Sequence, residues 1–345
     1  MGQGVLNTSG WREAGEVADT AALMDDAGLT REGGDLRMAG VSLDAVAGRV
    51  GTPAYVYNAE AIRKQFRRLD AALAAVPHRI CFAVKANGNL AVLRVLRDLG
   101  AGADIVSQGE MHRVLAAGFD PGRVVFSGVG KTRVELDAAV AAQLGHVNLE
   151  SEAELDALAA VAKGAKREVR VGIRVNPDVT ADTHPFISTG GRGIKFGIPA
   201  DQVVAIARRV AATPGLRLTG LAMHLGSQLL DPEPYQKGLA RLTTLVSSIR
   251  AAGITSLETL DIGGGLGIRY AGAPGMDPER FAAAVLPVVA PLGLTLMLEP
   301  GRFLVGSAGV LLTEVLYRTH SGGKEFVVVD AGMNDLVRPS HYQAY

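Results

Sequence analysis

The hydrophobic positions of this chain fall into two regimes. From Ile80 to Leu298, short apolar runs alternate with stretches whose apolar residues recur every three or four positions. The short runs, near 80–84, 103–106, 123–127, 147–149, 169–175, 217–223, 258–262 and 294–298, predict buried strands. The stretches between them, near 90–99, 108–117, 132–144, 151–163, 200–212, 234–252 and 278–290, predict helices. Eight strands separated by helices predict a closed parallel (β/α)8 barrel of TIM type, with an open doubly wound sheet as the alternative. The residues at the strand ends favour the barrel. Lys85, Asp104, Ser107, Ser127, Lys131, Glu150, Arg174, Asn176, His224, Ser227, Gly263 to Gly265 and Glu299 all sit at or just after predicted C-terminal ends. A barrel gathers those ends on one face, where such folds do chemistry, whereas an open sheet spreads them along an edge.

Outside this core the pattern loosens. Residues 1–35 read as an arm, with a short helix available to 16–27. Leu36 to Met38 and Ala54 to Tyr57 predict strands, Ser42 caps one helix, and Asn58 caps another that runs to about Ala75. After Arg302, Val310 to Tyr317 and Glu325 to Asp330 predict strands, with glycine turns at Gly306 and Gly322-Gly323. The expected organisation is an arm (1–35), a barrel (58–301), and a β-rich domain built from 36–57 and 302–345. So few strands leave open edges, so this domain is expected to be completed by another chain or by a longer form of the protein.

Composition narrows the class. A chain of 345 residues can bury a large core in one or two domains. Lys plus Arg equals Asp plus Glu at 35 each, which points to no nucleic acid and no membrane surface as partner. Cys81 is the one cysteine, so a disulfide framework is excluded, and its place in the first buried strand reads as a packed thiol. No run approaches the ~18 apolar residues of a membrane span, and the N-terminus lacks the order of a signal peptide. A soluble, cytoplasmic protein is expected. No His, Cys and Glu cluster has metal-ligand spacing, so no metal is expected.

Four stretches carry candidate chemistry. Lys85 follows the buried run Ile80 to Val84. Desolvation there favours the neutral amine, the form that attacks carbonyls; the alternative is a strand-end lysine that reaches water. The run Gly263-Gly264-Gly265-Leu266-Gly267 reads either as a phosphate nest or as a tight turn. It lacks the P-loop signature and fits the dinucleotide fingerprint poorly. Barrels often hold phosphate after strands seven and eight, which is where it lies. His224, with Ser227 three residues on, offers a ring to stack on a flat ligand or to move protons, or is a structural histidine. In Leu298-Glu299-Pro300-Gly301-Arg302 a buried carboxylate needs a cation, either Arg302 itself or a ligand nitrogen. An amine, a stacking ring, an anion nest and a carboxylate together suit pyridoxal 5'-phosphate, which uses all four.

These stretches also carry a resemblance. AVKAN at 83–87, GADIVSQGE at 102–110, VFSGVGKT at 125–132 and RVNPDV at 174–179 resemble the meso-diaminopimelate decarboxylase family. So do HPFISTG at 184–190 with KFGI at 195–198, HLGSQ at 224–228, DIGGGLGI at 261–268, EPGR at 299–302 and VDAGMNDLVRP at 329–339. The resemblance implies a pyridoxal phosphate enzyme with a barrel plus a β domain, working as a homodimer with active sites at the interface. It implies that Lys85 is the Schiff-base lysine, that His224 stacks on the cofactor ring, and that Glu299 pairs with the ring nitrogen. Ser227, Gly264, Gly265 and Gly301 would hold the phosphate, and Asp104 and Arg302 complete the expected cofactor contacts. Arg302, Arg338 and Tyr342 match positions that bind substrate carboxylates, a task that suits the planar guanidinium. The stretch 184–197 resembles a mobile active-site loop. The implied reaction releases the α-carboxylate of a diamino acid as CO2 and leaves L-lysine.

One departure stands out. The family continues with a Cys-Glu-Ser-Gly-Asp segment and a later tyrosine, which supply a catalytic cysteine, a substrate-binding glutamate and a cofactor contact. This sequence contains neither, and Cys81 is not that cysteine. Weak cofactor binding and poor turnover are the expectation for the chain as it stands. The alternatives are a same-fold decarboxylase of ornithine, arginine or another diamino acid, and a non-catalytic pyridoxal phosphate-binding homologue. A sugar-phosphate enzyme on a plain barrel would leave Lys85 and Glu299 without paired roles.

Overall fold

The computed structural model describes residues 20–179, 195–270 and 274–342, which fall into two compact units. One draws on segments within 1–58, 269–275 and 309–345; the other, larger, on 59–268 and 276–308.

In the first unit α1 (Thr20–Ala27) leads into a three-stranded antiparallel sheet of β1 (Leu29–Glu32), β2 (Asp35–Met38) and β3 (Val41–Ser42). Ser42 caps α2 (Leu43–Val50), its hydroxyl accepting the N–H of Ala45. Ala27, Met38 and Leu43 are buried together, with Leu29, Leu36 and Val56 packed on them. β4 (Ala54–Tyr57) belongs to a second sheet of this unit.

The larger unit opens with α3 (Ala59–Ala72), whose buried Ile62, Phe66 and Leu69 share one helical face. Strand and helix then alternate through β5 (His78–Ala83), α4 (Leu90–Asp98), β6 (Gly102–Ile105), α5 (Gln108–Ala117), β7 (Val124–Phe126) and α6 (Arg133–Ala141). They continue through β8 (His146–Leu149), α7 (Glu152–Ala165), β9 (Val169–Asn176), a two-residue β10 (Ile198–Pro199), α8 (Val203–Ala212) and β11 (Leu216–Ala222). α9 (Glu233–Ala251), β12 (Thr259–Asp261), α10 (Pro278–Val289) and β13 (Thr295–Leu298) complete the series. Each long strand pairs in parallel with the next, and β13 pairs with β5, closing an eight-stranded barrel. All eight expected strands are present, and the expected barrel with a separate β-rich part is the fold.

Strand alternation sorts the barrel interior into layers. Cys81, Val125 and Met297 are buried together in the middle. Two residues toward the C-terminal ends, the same faces present Ser127 and Glu299, joined by Asp104 from β6 and Asp261 from β12, and all four are buried. Two residues the other way lies Arg79, on the side of His146, whose ring nitrogen bonds the Thr219 hydroxyl at 2.8 Å.

After α11 (Arg302–Val305) the chain returns to the first unit. β14 (Gly309–Leu312) pairs antiparallel with β4, while β15 (Val315–Ser321) and β16 (Lys324–Val329) form a hairpin that turns at Gly322 and Gly323 with positive φ. α12 (Val337–Tyr342) follows. The single strand expected over 310–317 is therefore two. It breaks at Thr313-Glu314, where the Glu314 N–H is donated at 2.9 Å to the Asp330 carboxylate instead of to a ladder. Every residue of β15 is exposed, and no helix among the described residues is long and apolar enough to cross a membrane.

Candidate active site at the C-terminal end of the barrel

β5 delivers Lys85. The strand ends at Ala83, and a single helical turn, Val84 to Ala86, buries Val84 and swings the next side chain over the barrel mouth. Lys85 Nζ donates to Asp104 Oδ2 at 3.0 Å; the aspartate side chain is fully buried, while half of the lysine side chain stays open. This corrects the expectation of a neutral amine. The Asp104 charge raises the Lys85 pKa above the usual lysine value, and it outweighs the desolvation that pulls the other way. The second oxygen, Asp104 Oδ1, is buried without a partner among the described residues.

Two further carboxyl groups share this end of the barrel. Ser127 Oγ donates to Glu299 Oε1 at 3.4 Å and accepts from Asn148 Nδ2 at 3.1 Å. Asp261 Oδ1 accepts the Gly263 N–H at 2.8 Å, and the Asp261 carboxylate also accepts a hydrogen bond from the Glu299 carboxyl. Burial, with the charges of Asp104 and Asp261 added, pushes the Glu299 pKa well above the carboxyl range. Burial likewise pushes Asp261 up to about 6. Three buried carboxyls cannot all ionise against one ammonium. The cluster is short of positive charge.

The neighbouring wall comes from the loops after β11 and β12. Gly264 donates its N–H to His224 Nδ1 at 3.2 Å, so the neutral ring carries its proton on Nε2. Desolvation, then the positive charges of Lys85 and Arg174, hold the imidazole pKa well below its usual value. Packing alone demands a glycine at 264, because a Cβ there would lie 2.1 Å from the Glu299 carbonyl oxygen. Tyr235 braces the loop from behind. Its buried hydroxyl donates to the Gly264 carbonyl at 2.8 Å, and its ring meets Phe281 edge-on at 5.0 Å. Gly265 has φ +106°, and Ser227 sits partly buried in the facing loop. Pro300 accepts the Ala83 N–H at 3.2 Å, and a Cβ on Gly301 would stand 3.0 Å from that of Ala86, so the end of β13 runs close beside Lys85. Arg302 opens α11 there.

Other strand-end residues are engaged in structure. Lys131 Nζ donates to the carbonyls of Gly128 and Asn148 and, at 2.6 Å, to Glu154. With its three donors spent, it is no nucleophile. Glu150 accepts from Arg174 at 2.7 Å and from the N–H groups of Gly128 and Gly197, and the Arg174 guanidinium lies over the Phe196 ring at 4.9 Å.

The fold thus gathers Lys85, Asp104, His224, Ser227, Gly264, Gly265, Glu299, Gly301 and Arg302 in the barrel unit. Arg338 and Tyr342 belong to the other unit, where the Arg338 guanidinium packs over Tyr270 at 4.3 Å. The side chain of Tyr342, and residues 184–194 of the expected loop, lie outside the described residues. Asp261 and Asn148 were not singled out from sequence. Their signal is a polar residue within an otherwise apolar strand, at a position whose alternation points inward.

Residues 59–306 match the family model of the pyridoxal-dependent decarboxylase, pyridoxal binding domain. The chain is 49% identical over 306 residues to diaminopimelate decarboxylase of Pseudomonas aeruginosa, covering 89% of this chain and 74% of that protein. It is 41% identical over 314 residues to the enzyme of the same name from Aquifex aeolicus, covering 90% and 74%. The solved diaminopimelate decarboxylase of Helicobacter pylori, complexed with L-lysine, superposes with a TM-score of 0.84 at 38% identity, over 87% of this chain and 76% of that one. A lysine/ornithine decarboxylase from Vibrio vulnificus, 22% identical with a TM-score of 0.76, shares the fold. A barrel matched along nearly its whole length, and relatives near half identity over about nine-tenths of the sequence, lead to one conclusion: this chain belongs to the diaminopimelate decarboxylase family of pyridoxal-dependent enzymes.

Proposed function

We propose that this protein decarboxylates meso-2,6-diaminopimelate to L-lysine and CO2 with pyridoxal 5'-phosphate. The observation that carries the reading is the buried carboxyl cluster beside Lys85, in which three acids face one ammonium and Asp104 Oδ1 has no partner among the described residues. A cationic ring nitrogen fits that deficit, and the lysine amine fits an aldehyde. When bound, pyridoxal phosphate supplies a carbonyl that captures amines and a protonated ring that accepts the electrons of a broken carbon–carbon bond.

The protein's share is placement and charge. In this reading Lys85 Nζ would anchor the aldehyde until a substrate amine competes for it. Asp104 Oδ2 holds the lysine proton until then. Glu299 would hold the ring nitrogen, since a nearby cation would favour the ionised form that burial now disfavours. His224 is kept neutral, which lets it lie against a cationic ring without repulsion. Ser227, Gly264, Gly265 and Gly301 hold the phosphate, with Arg302 beside them. Arg302, Arg338 and Tyr342 read the substrate's carboxylates, which selects a diamino acid with an acid at both ends. The reading includes a homodimer in the cytoplasm, supported by the resemblance and the balanced charge, and light scattering on the eluting protein tests the dimer.

The deciding experiment is CO2 release by the cofactor-loaded protein from meso-diaminopimelate, L-lysine, ornithine and arginine, with borohydride trapping and peptide mapping alongside. Turnover of diaminopimelate alone, with label on Lys85, is the expected result. Preference for ornithine or arginine would overturn the substrate, and label spread over many lysines would overturn the site.

A further inference from the structure

The barrel has a second charged cavity, at the end away from Lys85. It has a volume of about 450 Å³ and lies between the end of α6 and the starts of β8 and β9, reaching Arg79 near the start of β5. All barrel strands run parallel, so residues that precede strands and residues that follow them lie at opposite ends. Its volume falls within the range of small-ligand sites.

Three arginines line it, Arg79, Arg167 and Arg170, against one acid, Glu168. Arg170 is committed to Glu258, which also accepts from Arg217 at 2.5 Å. Among the described residues no carboxylate pairs with Arg79 or Arg167. The excess positive charge is felt nearby. Burial first, then Arg170 and Arg79, push the His146 pKa down to about 4. A second cavity, of about 660 Å³, shares Arg167 and Glu168 and adds Lys163 and Lys166. The walls are preformed. The Gly145 N–H is donated to the Pro121 carbonyl at 2.9 Å, and a Cβ on Gly145 would stand 2.2 Å from the Gly122 carbonyl oxygen, so the two loops are locked together. Arg79 is partly buried and Arg167 is exposed at the rim; a partly buried guanidinium without an acidic partner is costly unless an anion neutralises it.

We propose that the N-terminal end of the barrel is a binding site for a small multivalent anion, bearing phosphate groups or paired carboxylates, held by Arg79 and Arg167. The guanidinium forks suit either acid, since both accept two parallel N–H donors. Such a site lies outside the catalytic mouth, so its occupant need not compete with cofactor or substrate.

The test uses holoenzyme cleared of free cofactor, so that the catalytic mouth is filled. Pyrophosphate and citrate are titrated at constant ionic strength, with sodium chloride as control, and binding is read by calorimetry and by thermal shift. Saturable binding of one anion per chain, weakened at least tenfold in Arg79→Gln/Arg167→Gln, is the expected result. Tighter pyrophosphate binding would identify phosphate as the group read, and tighter citrate binding would identify carboxylates. Arg167→Gln alone, at an exposed position, carries the test if the double variant fails to fold, with a loss of at least threefold. A thermal shift that chloride reproduces, or binding unchanged in the variants, overturns the proposal.

Discussion

Lys85 and Asp104 lie nineteen residues apart in sequence and 3.0 Å apart in space, one half-open to solvent and the other sealed beneath it. The pair fixes the charge state of the Lys85 amine, whereas the neighbouring Lys131 is spent on three acceptors. Removing the aspartate's charge takes away the largest influence that holds the ammonium form. Asp104→Asn is therefore expected to shift aldehyde capture to lower pH. Stopped-flow absorbance of pyridoxal phosphate binding across about pH 6–10 would show it, and an unshifted profile would mean that Asp104 does not set the amine's charge.

Glu299→Gln keeps the shape of the site and removes its ability to become an anion. A loss of about 10²–10³-fold in kcat is expected, with pyridoxal phosphate still trapped on Lys85 by borohydride. Activity within a few-fold of wild type would separate Glu299 from the chemistry.

The same cluster sets a pH dependence of stability. Burial raises Asp261 to about 6 and Glu299 well above the usual range. A carboxyl whose folded pKa exceeds its unfolded one supports folding while protonated, and that contribution is lost as pH climbs from the unfolded value through the folded one. Cofactor-free protein should lose thermal stability from about pH 4 upward, through 6 and beyond as Asp261 and then Glu299 are forced to ionise. Bound cofactor should flatten the fall. Melting curves with and without pyridoxal phosphate measure the difference.

Tyr235→Phe leaves the Phe281 contact and strips the Gly264 carbonyl of its buried donor. The cost should be about 1–3 kcal/mol in denaturant unfolding. Cofactor affinity should fall by a few-fold, because the glycine loop loses its brace.

Lys131→Met separates structure from catalysis. The lysine side chain is 1% exposed and paired with Glu154, so truncation strands a buried carboxylate at about 3–5 kcal/mol. The folded fraction should still label at Lys85 and turn over normally.

Much of this was legible beforehand because barrel strands announce themselves. Apolar runs bounded by glycine mark the strands, and the Ser42 cap places α2, its hydroxyl accepting the Ala45 N–H. The break between β14 and β15 was not, since Thr313-Glu314 carries no glycine or proline and depends on Asp330, sixteen residues on. The charge on Lys85 was hidden for the same reason. Local sequence reveals that the lysine ends a buried strand, but not that an aspartate from the next strand waits beneath it. Asp261 was visible only as an acid inside an apolar run, and its meaning came from Glu299 and Asp104, which the closure of the barrel brings to it.

The layer of Cys81, Val125 and Met297 has a role beyond filling space. It separates Arg79 at one end of the barrel from the cluster of Asp104, Asp261 and Glu299 at the other. Cys81 feels both, its thiol raised by burial and by Asp261, and drawn back by Arg79. Were that layer wet or polar, the two ends would screen each other, and the acids that await a cationic ring would already be satisfied. The mouth stays hungry for a cation because its core is dry.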